Sequence, residues 1–202
     1  MAPAPVGFDL DMTLIDSREA ILGSFAGVAA ETGVAIDPAE VDSRLGIKLE
    51  DELAYWLPPE AIGPAMGIYR SHYLRLAGPL TRPLPGASES LDAVRAAGAR
   101  AVVVTAKLEA TARLSLDALG LVADAVFGNV HGPQKAVVLT AVGAAIYVGD
   151  TPADMAAAVL AGAHPVGVAT GSFSAAELRA AGAADVLSSL SRFPALYAAI
   201  AT

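Results

Sequence analysis

The chain has 202 residues, 54% of them hydrophobic, no cysteine, and 13 basic against 21 acidic side chains for a net charge of −8. That length allows one large domain or a core with a smaller module, and the alanine-rich apolar content suits a well-buried α/β protein rather than a disordered one. The missing cysteine excludes a disulfide framework, a thiol nucleophile and a zinc–thiolate site, and the acidic balance argues against nonspecific nucleic-acid binding. A small phosphorylated ligand in one local positive pocket stays compatible with that balance.

The N-terminus, MAPAPVGFDLD, lacks a basic segment followed by an apolar stretch and does not read as a signal peptide. Val6–Asp9 reads as a first strand, and it runs into two aspartates, Asp9 and Asp11, separated only by Leu10. From Ser17 to about Leu80 no strand is expected; "SREAILGSFAGVAAETG", "DPAEVDSRLG", "KLEDELAYWL" and "PAMGIYRSHYLRLAG" read as successive helices. Asp37 before Pro38 marks a helix start, and Gly33, Gly46 and Gly78 mark stops. "AGPLTRPLPGA" (77–87) reads as the return linker, because its prolines resist regular structure. This helical insert directly after the first strand is expected to be a separate module.

Beyond it, short β-branched runs alternate with helical patterns. "ARAVVVT" (99–105), "ADAVF" (123–127), "AAIYVGD" (144–150), "HPVGVAT" (164–170) and "AADVL" (183–187) read as buried strands. The intervening "GASESLDAVRAAG" and "LEATARLSLDALG" carry helical spacing and close on glycine. Such alternation implies right-handed βαβ units, hence an α/β fold with a parallel sheet covered on both faces. The longest mainly apolar segment, Ala136 to Gly149, is shorter than a membrane span and contains Thr140 and two glycines. A soluble cytoplasmic protein without a membrane partner is the expectation.

In an open parallel sheet, ligands bind beyond the carboxyl ends of the strands. There the sequence places Asp9 and Asp11, then Thr105, Ala106 and Lys107, then Asp150, with Asp154 four residues on in "GDTPADM". Lys135 precedes a helical segment, and two of the chain's three lysines, Lys48, Lys107 and Lys135, fall near these ends. Each residue alone has a plain structural reading. Asp16 with Glu19 and Thr151 with Asp154 have capping-box spacing, Thr105 suits a strand, and Lys135 suits a solvated surface. Three carboxylates at one sheet edge are harder to explain that way, since like charges raise one another's pKa. A hard divalent cation such as Mg²⁺ resolves the crowding.

"DLDMTLIDS", "VVVTAK", Lys135 and "VGDTPADM", in that order, resemble the haloacid dehalogenase superfamily in its phosphoglycolate-phosphatase-like branch. "YRSHYL" and "RPLPGA" extend the likeness over nearly the whole chain. The resemblance implies a Rossmann-like core domain at 1–16 and 81–202 with an inserted α-helical cap domain at 17–80. It implies a Mg²⁺-dependent phosphatase acting on a small phosphorylated metabolite, with Asp9 as nucleophile and Asp11 as general acid–base. Asp9, the Asp11 backbone carbonyl, Asp150 and Asp154 would hold the metal, with Asp154 direct or one shell out. Thr105, the Ala106 N–H and Lys135 would hold phosphate oxygens and offset their charge.

Two departures from the family pattern bear on substrate choice. Ala106 stands where many relatives carry Asn or Ser, and Ala136 follows Lys135 where many carry proline. Asp11 argues against dehalogenation, because dehalogenases of the family lack it. Phosphonate hydrolysis would require a cap lysine, and Lys48 is the only one. Phosphosugar mutation and non-catalytic sensing of a phosphate ligand are rival readings of the same motifs. The cap loop around Arg44, Gly46 and Lys48 is expected to face the crevice, and the oligomeric state is not legible.

Overall fold

The computed structural model describes residues 3–201, and its first element, β1 (Val6–Phe8), is buried throughout. β2 (Ile15–Asp16) leads into α1 (Arg18–Thr32), α2 (Pro38–Ser43), α3 (Leu49–Trp56) and α4 (Pro59–Leu80), and β3 (Arg82–Pro83) leads out. There follow α5 (Ala87–Ala96), β4 (Ala101–Val104), α6 (Glu109–Ala118), β5 (Ala125–Phe127), α7 (Pro133–Val142), β6 (Ile146–Gly149), α8 (Pro152–Ala161), β7 (His164–Val168), α9 (Ala175–Ala180), β8 (Asp185–Leu187) and α10 (Phe193–Ile200). Each of the six expected strands is present and shorter than its expected run, which overreaches at one end or both.

The chain divides into two compact units, one of Ser17–Arg82 and one of the segments on either side of it. The larger unit is an α/β fold around a six-stranded sheet in the order β5-β4-β1-β6-β7-β8, every pair parallel. After β5 the chain crosses back over β1 through α7 to start β6 on the other side, so strand order reverses around β1. That is the point at which open sheets leave a crevice.

Alternation along the strands sends side chains to two faces. Val6, Phe8, Val103 and Val148 face Leu91 and Val94 of α5 and Phe193 and Tyr197 of α10. Phe8 and Phe193 meet edge to face at 5.3 Å, a favoured aromatic geometry. Val104 and Tyr147 face Ala136 and Leu139 of α7 and Ala157 and Ala158 of α8. Gly7 lies beside Tyr147 in the β1–β6 register, and a Cβ there would come within 2.8 Å of both the Tyr147 ring and Leu139. A glycine in this central strand therefore admits a large ring next to it.

The Ser17–Arg82 unit is built from α1–α4 around Phe25, Val28, Val41, Leu53, Leu57 and Ala65. Asp37 caps α2 by accepting from the Ala39 N–H at 2.8 Å, with Pro38 at the first helical position. Gly33 ends α1 in the left-handed conformation that favours glycine. Three expectations need correction. α4 starts at Pro59 rather than Pro64 and passes through Gly78 and Pro79 to Leu80, so the linker is shorter than its prolines suggested. Pro79 lies in the last turn, where only one helical N–H is lost. The close fit of α4 on α1 supports that length: Cβ atoms at Gly23 and Gly27 would come within 2.8 Å of Leu76 and 2.4 Å of the His72 ring. Finally, the Asp16–Glu19 box does not head α1, whose N-cap is Ser17, because Asp16 is committed to β2.

Candidate active site

All the strand-end candidates lie in the larger unit, and the turn after β1 shows how they are aimed. The Asp9 N–H extends the ladder by donating to the Val148 carbonyl at 2.8 Å. The Leu10 carbonyl then accepts from the N–H groups of Thr13, Leu14 and Ile15 at 3.3, 2.9 and 3.0 Å, closing a tight turn. Met12 takes φ of 60° within it, a left-handed conformation that non-glycine residues adopt at a cost of roughly 1–3 kcal/mol. The turn is held by its neighbours: the Met12 N–H donates to the Ile15 carbonyl at 2.7 Å, and the Thr170 hydroxyl donates to the Met12 carbonyl at 2.5 Å.

Asp9, Asp150 and Asp154 are all buried, and each offers a carboxylate oxygen within 4.8 Å of the other two. Asp150 follows β6 and accepts from the Thr13 hydroxyl at 3.0 Å. Lys135, from the first turn of α7, donates to Asp9 Oδ1 at 2.8 Å and to Asp154 Oδ1 at 2.6 Å. The lysine is only 6% exposed, so the solvated-surface reading does not hold. Among the described residues, the second oxygen of Asp9 accepts no hydrogen bond.

Asp154 is the hub. Its Oδ2 accepts from the Thr151 hydroxyl at 2.6 Å and N–H at 3.2 Å, while the Thr151 hydroxyl oxygen accepts from the Asp154 N–H at 3.1 Å. This is the expected capping box of α8. Its Oδ1, already bound to Lys135, lies 3.1 Å from the Tyr147 hydroxyl, which also lies 2.9 Å from the Val104 carbonyl. A carboxylate has about four acceptor sites. Three donors already occupy Asp154 and the single Tyr147 hydroxyl hydrogen is shared with Val104, so cap and ligand readings compete for the same oxygens.

Three buried carboxylates and one ammonium leave an uncompensated negative charge. Burial pushes the Asp9 carboxyl up to about 7; Lys135 opposes that rise and Asp154 adds to it. Burial, then Asp9 and Asp154, hold Asp150 well above the ordinary carboxylate range. For Lys135, burial disfavours the ammonium, but Asp154 and Asp9 outweigh it and raise its pKa. A hard divalent cation fits this all-oxygen donor set and would compensate the charge.

Asp11 lies apart from the carboxylate cluster. Its backbone bridges to Ile15, and its carboxylate pairs with Lys107, from the loop after β4. Thr105 is buried at the end of that strand, and its hydroxyl oxygen accepts from the Lys107 N–H at 3.2 Å, which leaves the hydroxyl hydrogen to donate elsewhere. Ala106 follows it in the same loop.

Several supporting residues escaped the sequence reading. Thr13 and Gly171 each touch a carboxylate or crowd it; a Cβ at Gly171 would lie 2.0 Å from Asp150 Oδ2. Thr13 stands inside a quoted motif and could have been flagged there, whereas Tyr147 reads as any other apolar strand residue. In the smaller unit, Arg44 is occupied by the buried Glu52, its Nε donating at 2.8 Å, and stacks over Tyr55 at 4.1 Å. Lys48 pairs with Glu50 at 2.6 Å in solvent.

Comparison with known proteins gives the same arrangement a lineage. Residues 6–168 match the model of the haloacid dehalogenase-like hydrolases. A phosphoglycolate phosphatase of Xylella fastidiosa is 32% identical over 79% of this chain and 77% of its own. One of Aquifex aeolicus is 31% identical over 77% and 79%. Among solved structures, a haloacid dehalogenase-like hydrolase of Streptococcus pneumoniae superposes with a TM-score of 0.83, covering 98% of this chain and 97% of that one at 24% identity, a likeness of fold. With paired aspartates after β1, a threonine after β4, a buried lysine on α7 and an acidic pair after β6, the chain belongs to the haloacid dehalogenase-like hydrolase family and is a hydrolase.

Proposed function

We propose that the chain is a Mg²⁺-dependent phosphomonoesterase that works through a phosphoryl group carried on Asp9. The observation that carries this reading is the convergence of Asp9, Asp150 and Asp154 within 4.8 Å of one another at the reversal point of the sheet, with one buried lysine bound to two of them. Asp9, the Asp11 carbonyl and Asp150 would hold the Mg²⁺, with Asp154 behind them; when bound, it supplies positive charge between two anions that otherwise repel.

The chain's own groups supply the rest. With one Asp9 oxygen held by Lys135, the other attacks phosphorus as the bond to the leaving oxygen breaks. That oxygen takes a proton from the Asp11 carboxyl. In the second step the Asp11 carboxylate takes a proton from water, the water oxygen attacks phosphorus, and the bond to Asp9 breaks to give inorganic phosphate. The Thr105 hydroxyl and the Ala106 N–H donate to phosphate oxygens, and Lys135 offsets their charge. The Ser17–Arg82 unit is assigned as the cap that sets substrate choice. Among the described residues no helix is long and apolar enough to cross a membrane, which accords with the cytoplasmic setting we assign.

The substrate class is a small phosphorylated metabolite, and phosphoglycolate, for which two relatives are named, is the first compound to assay. The test is phosphate release from an aryl phosphate and from a metabolite panel, with and without chelator. Asp9→Asn should release nothing and form no phosphoenzyme. Asp11→Asn should lose roughly a hundred- to ten-thousand-fold on alkyl phosphates. Full turnover by Asp9→Asn would sink the reading.

A further inference from the structure

The two aspartates after β1 each have their own lysine, and only one of these lysines has a role in phosphoryl transfer so far. Lys135 binds Asp9; Lys107 binds Asp11. Long lysines on loops ordinarily stay in water, yet the Lys107 side chain is only 9% exposed.

Its backbone is built into place. The Lys107 N–H donates to the Thr105 hydroxyl oxygen at 3.2 Å, and its carbonyl accepts from the Asn129 N–H at 2.7 Å. The Val130 N–H donates to the Thr105 carbonyl at 3.0 Å, so the loops after β4 and β5 are tied together. Asn129 holds φ of 57°, and a Cβ on Gly128 would lie 2.2 Å from the Glu109 backbone nitrogen, which packs the second loop against the start of α6. A solvated surface lysine needs none of this.

We propose that Lys107 is a positioning residue for Asp11, fixing the plane of its carboxyl group through one oxygen so that the group faces the phosphorus in both half-reactions. The proposal rests on the assignment of Asp11 as proton carrier. In the first half-reaction the carboxyl proton passes to the leaving oxygen as the phosphorus–oxygen bond breaks; in the second, the carboxylate accepts a proton from the attacking water. Both transfers need one orientation, and an aspartate at a turn otherwise samples several. Small misplacements of such a group reduce rate steeply, roughly a hundredfold for about 1 Å.

The experiment compares Lys107→Met, Asp11→Asn and the double variant in pre-steady-state release of the leaving group from an alkyl and an aryl phosphate and in hydrolysis of the phosphoenzyme, with thermal unfolding alongside. Lys107→Met should slow leaving-group release from the alkyl phosphate by roughly tenfold to a hundredfold and from an aryl phosphate with a stable phenolate much less, slow phosphoenzyme hydrolysis equally after either substrate, and leave substrate affinity nearly unchanged. The double variant should be no slower on the alkyl phosphate than Asp11→Asn alone, since a residue acting through Asp11 has nothing left to position. Lys107→Arg should recover part of the loss. If Lys107 were a phosphate ligand, leaving-group release from both substrates would slow together with weakened substrate binding, and the proposal would be overturned. Multiplying losses in the double variant, or an undiminished Lys107→Met enzyme, would overturn it too. Should Asp11→Asn itself show no difference between substrates in leaving-group release, the assignment of Asp11 fails and this proposal with it. If Lys107→Met does not fold, Lys107→Gln is read by the same criteria.

Discussion

Replacing Lys135 by methionine removes the single cation among Asp9, Asp150 and Asp154 while keeping most of the side-chain volume. Two contacts of 2.8 and 2.6 Å are lost, and neither partner has water to turn to, since Asp9 is 7% and Asp154 0% exposed. Removing one member of a buried charged group typically costs about 3–5 kcal/mol, because the remaining charge is left unpaired. For a domain of this size each kcal/mol moves the unfolding midpoint by about 2–4 °C, so a fall of roughly 6–20 °C is expected in chelator. Calorimetry or far-UV circular dichroism is the suitable assay, because the only tryptophan, Trp56, lies in the Ser17–Arg82 unit and reports elsewhere. Lys48→Met is the control: that lysine pairs with Glu50 in solvent, and its loss should leave the midpoint unchanged. Added Mg²⁺ should narrow the gap between Lys135→Met and wild type by replacing the missing charge. An unshifted midpoint in chelator would refute the reasoning, since it would mean that the buried carboxylates do not need the lysine.

Asp150→Ala should abolish both phosphatase turnover and the rise in unfolding temperature caused by Mg²⁺; an active variant, measured as phosphate release, would remove the metal assignment. Gly171→Ala places a Cβ 2.0 Å from Asp150 Oδ2 and should weaken Mg²⁺ activation, read as a higher Mg²⁺ concentration at half-maximal rate, even though Gly171 carries no ligand. Tyr147→Phe keeps the ring 5.7 Å from the Lys135 ammonium but removes the hydroxyl shared by Val104 and Asp154. It should destabilise the fold by about 1–3 kcal/mol in urea titrations, and a neutral result would mean that the hydroxyl's partners are satisfied without it.

The parallel sheet was legible because its strands are apolar runs ended by glycine or polar residues, and the site because those polar residues interrupt apolar sequence. Asp9, Asp11 and Asp150 stand out by that contrast alone. Lys135 did not, because a lysine near a helix start looks solvated until the α7 crossover carries it over β1. Tyr147 was hidden for the opposite reason: a tyrosine in a strand reads as core, and nothing local shows that Asp154, in the first turn of the next helix, reaches its hydroxyl. The extent of α4 was misjudged because proline marks the loss of one hydrogen bond, while packing against Gly23 and Gly27 of α1 decides whether the helix continues.

The strand order also explains how two carboxylates can stand one residue apart where β1 leaves the core. β1 has β4 on one side and β6 on the other, and the two aspartates are served by different elements. Asp11 is met by Lys107 from the loop after β4. Asp9 is met by Lys135, from the helix that crosses to β6, and shares that cation with Asp154. Met12 in its left-handed turn lets the chain present both groups before Leu14 and Ile15 return to the core. The pair is therefore compensated twice, by the loop after β4 and by α7. The reversal of strand order that opens the crevice also sends α7 across β1, and that is what lets the proposed nucleophile and the proposed proton carrier sit two residues apart.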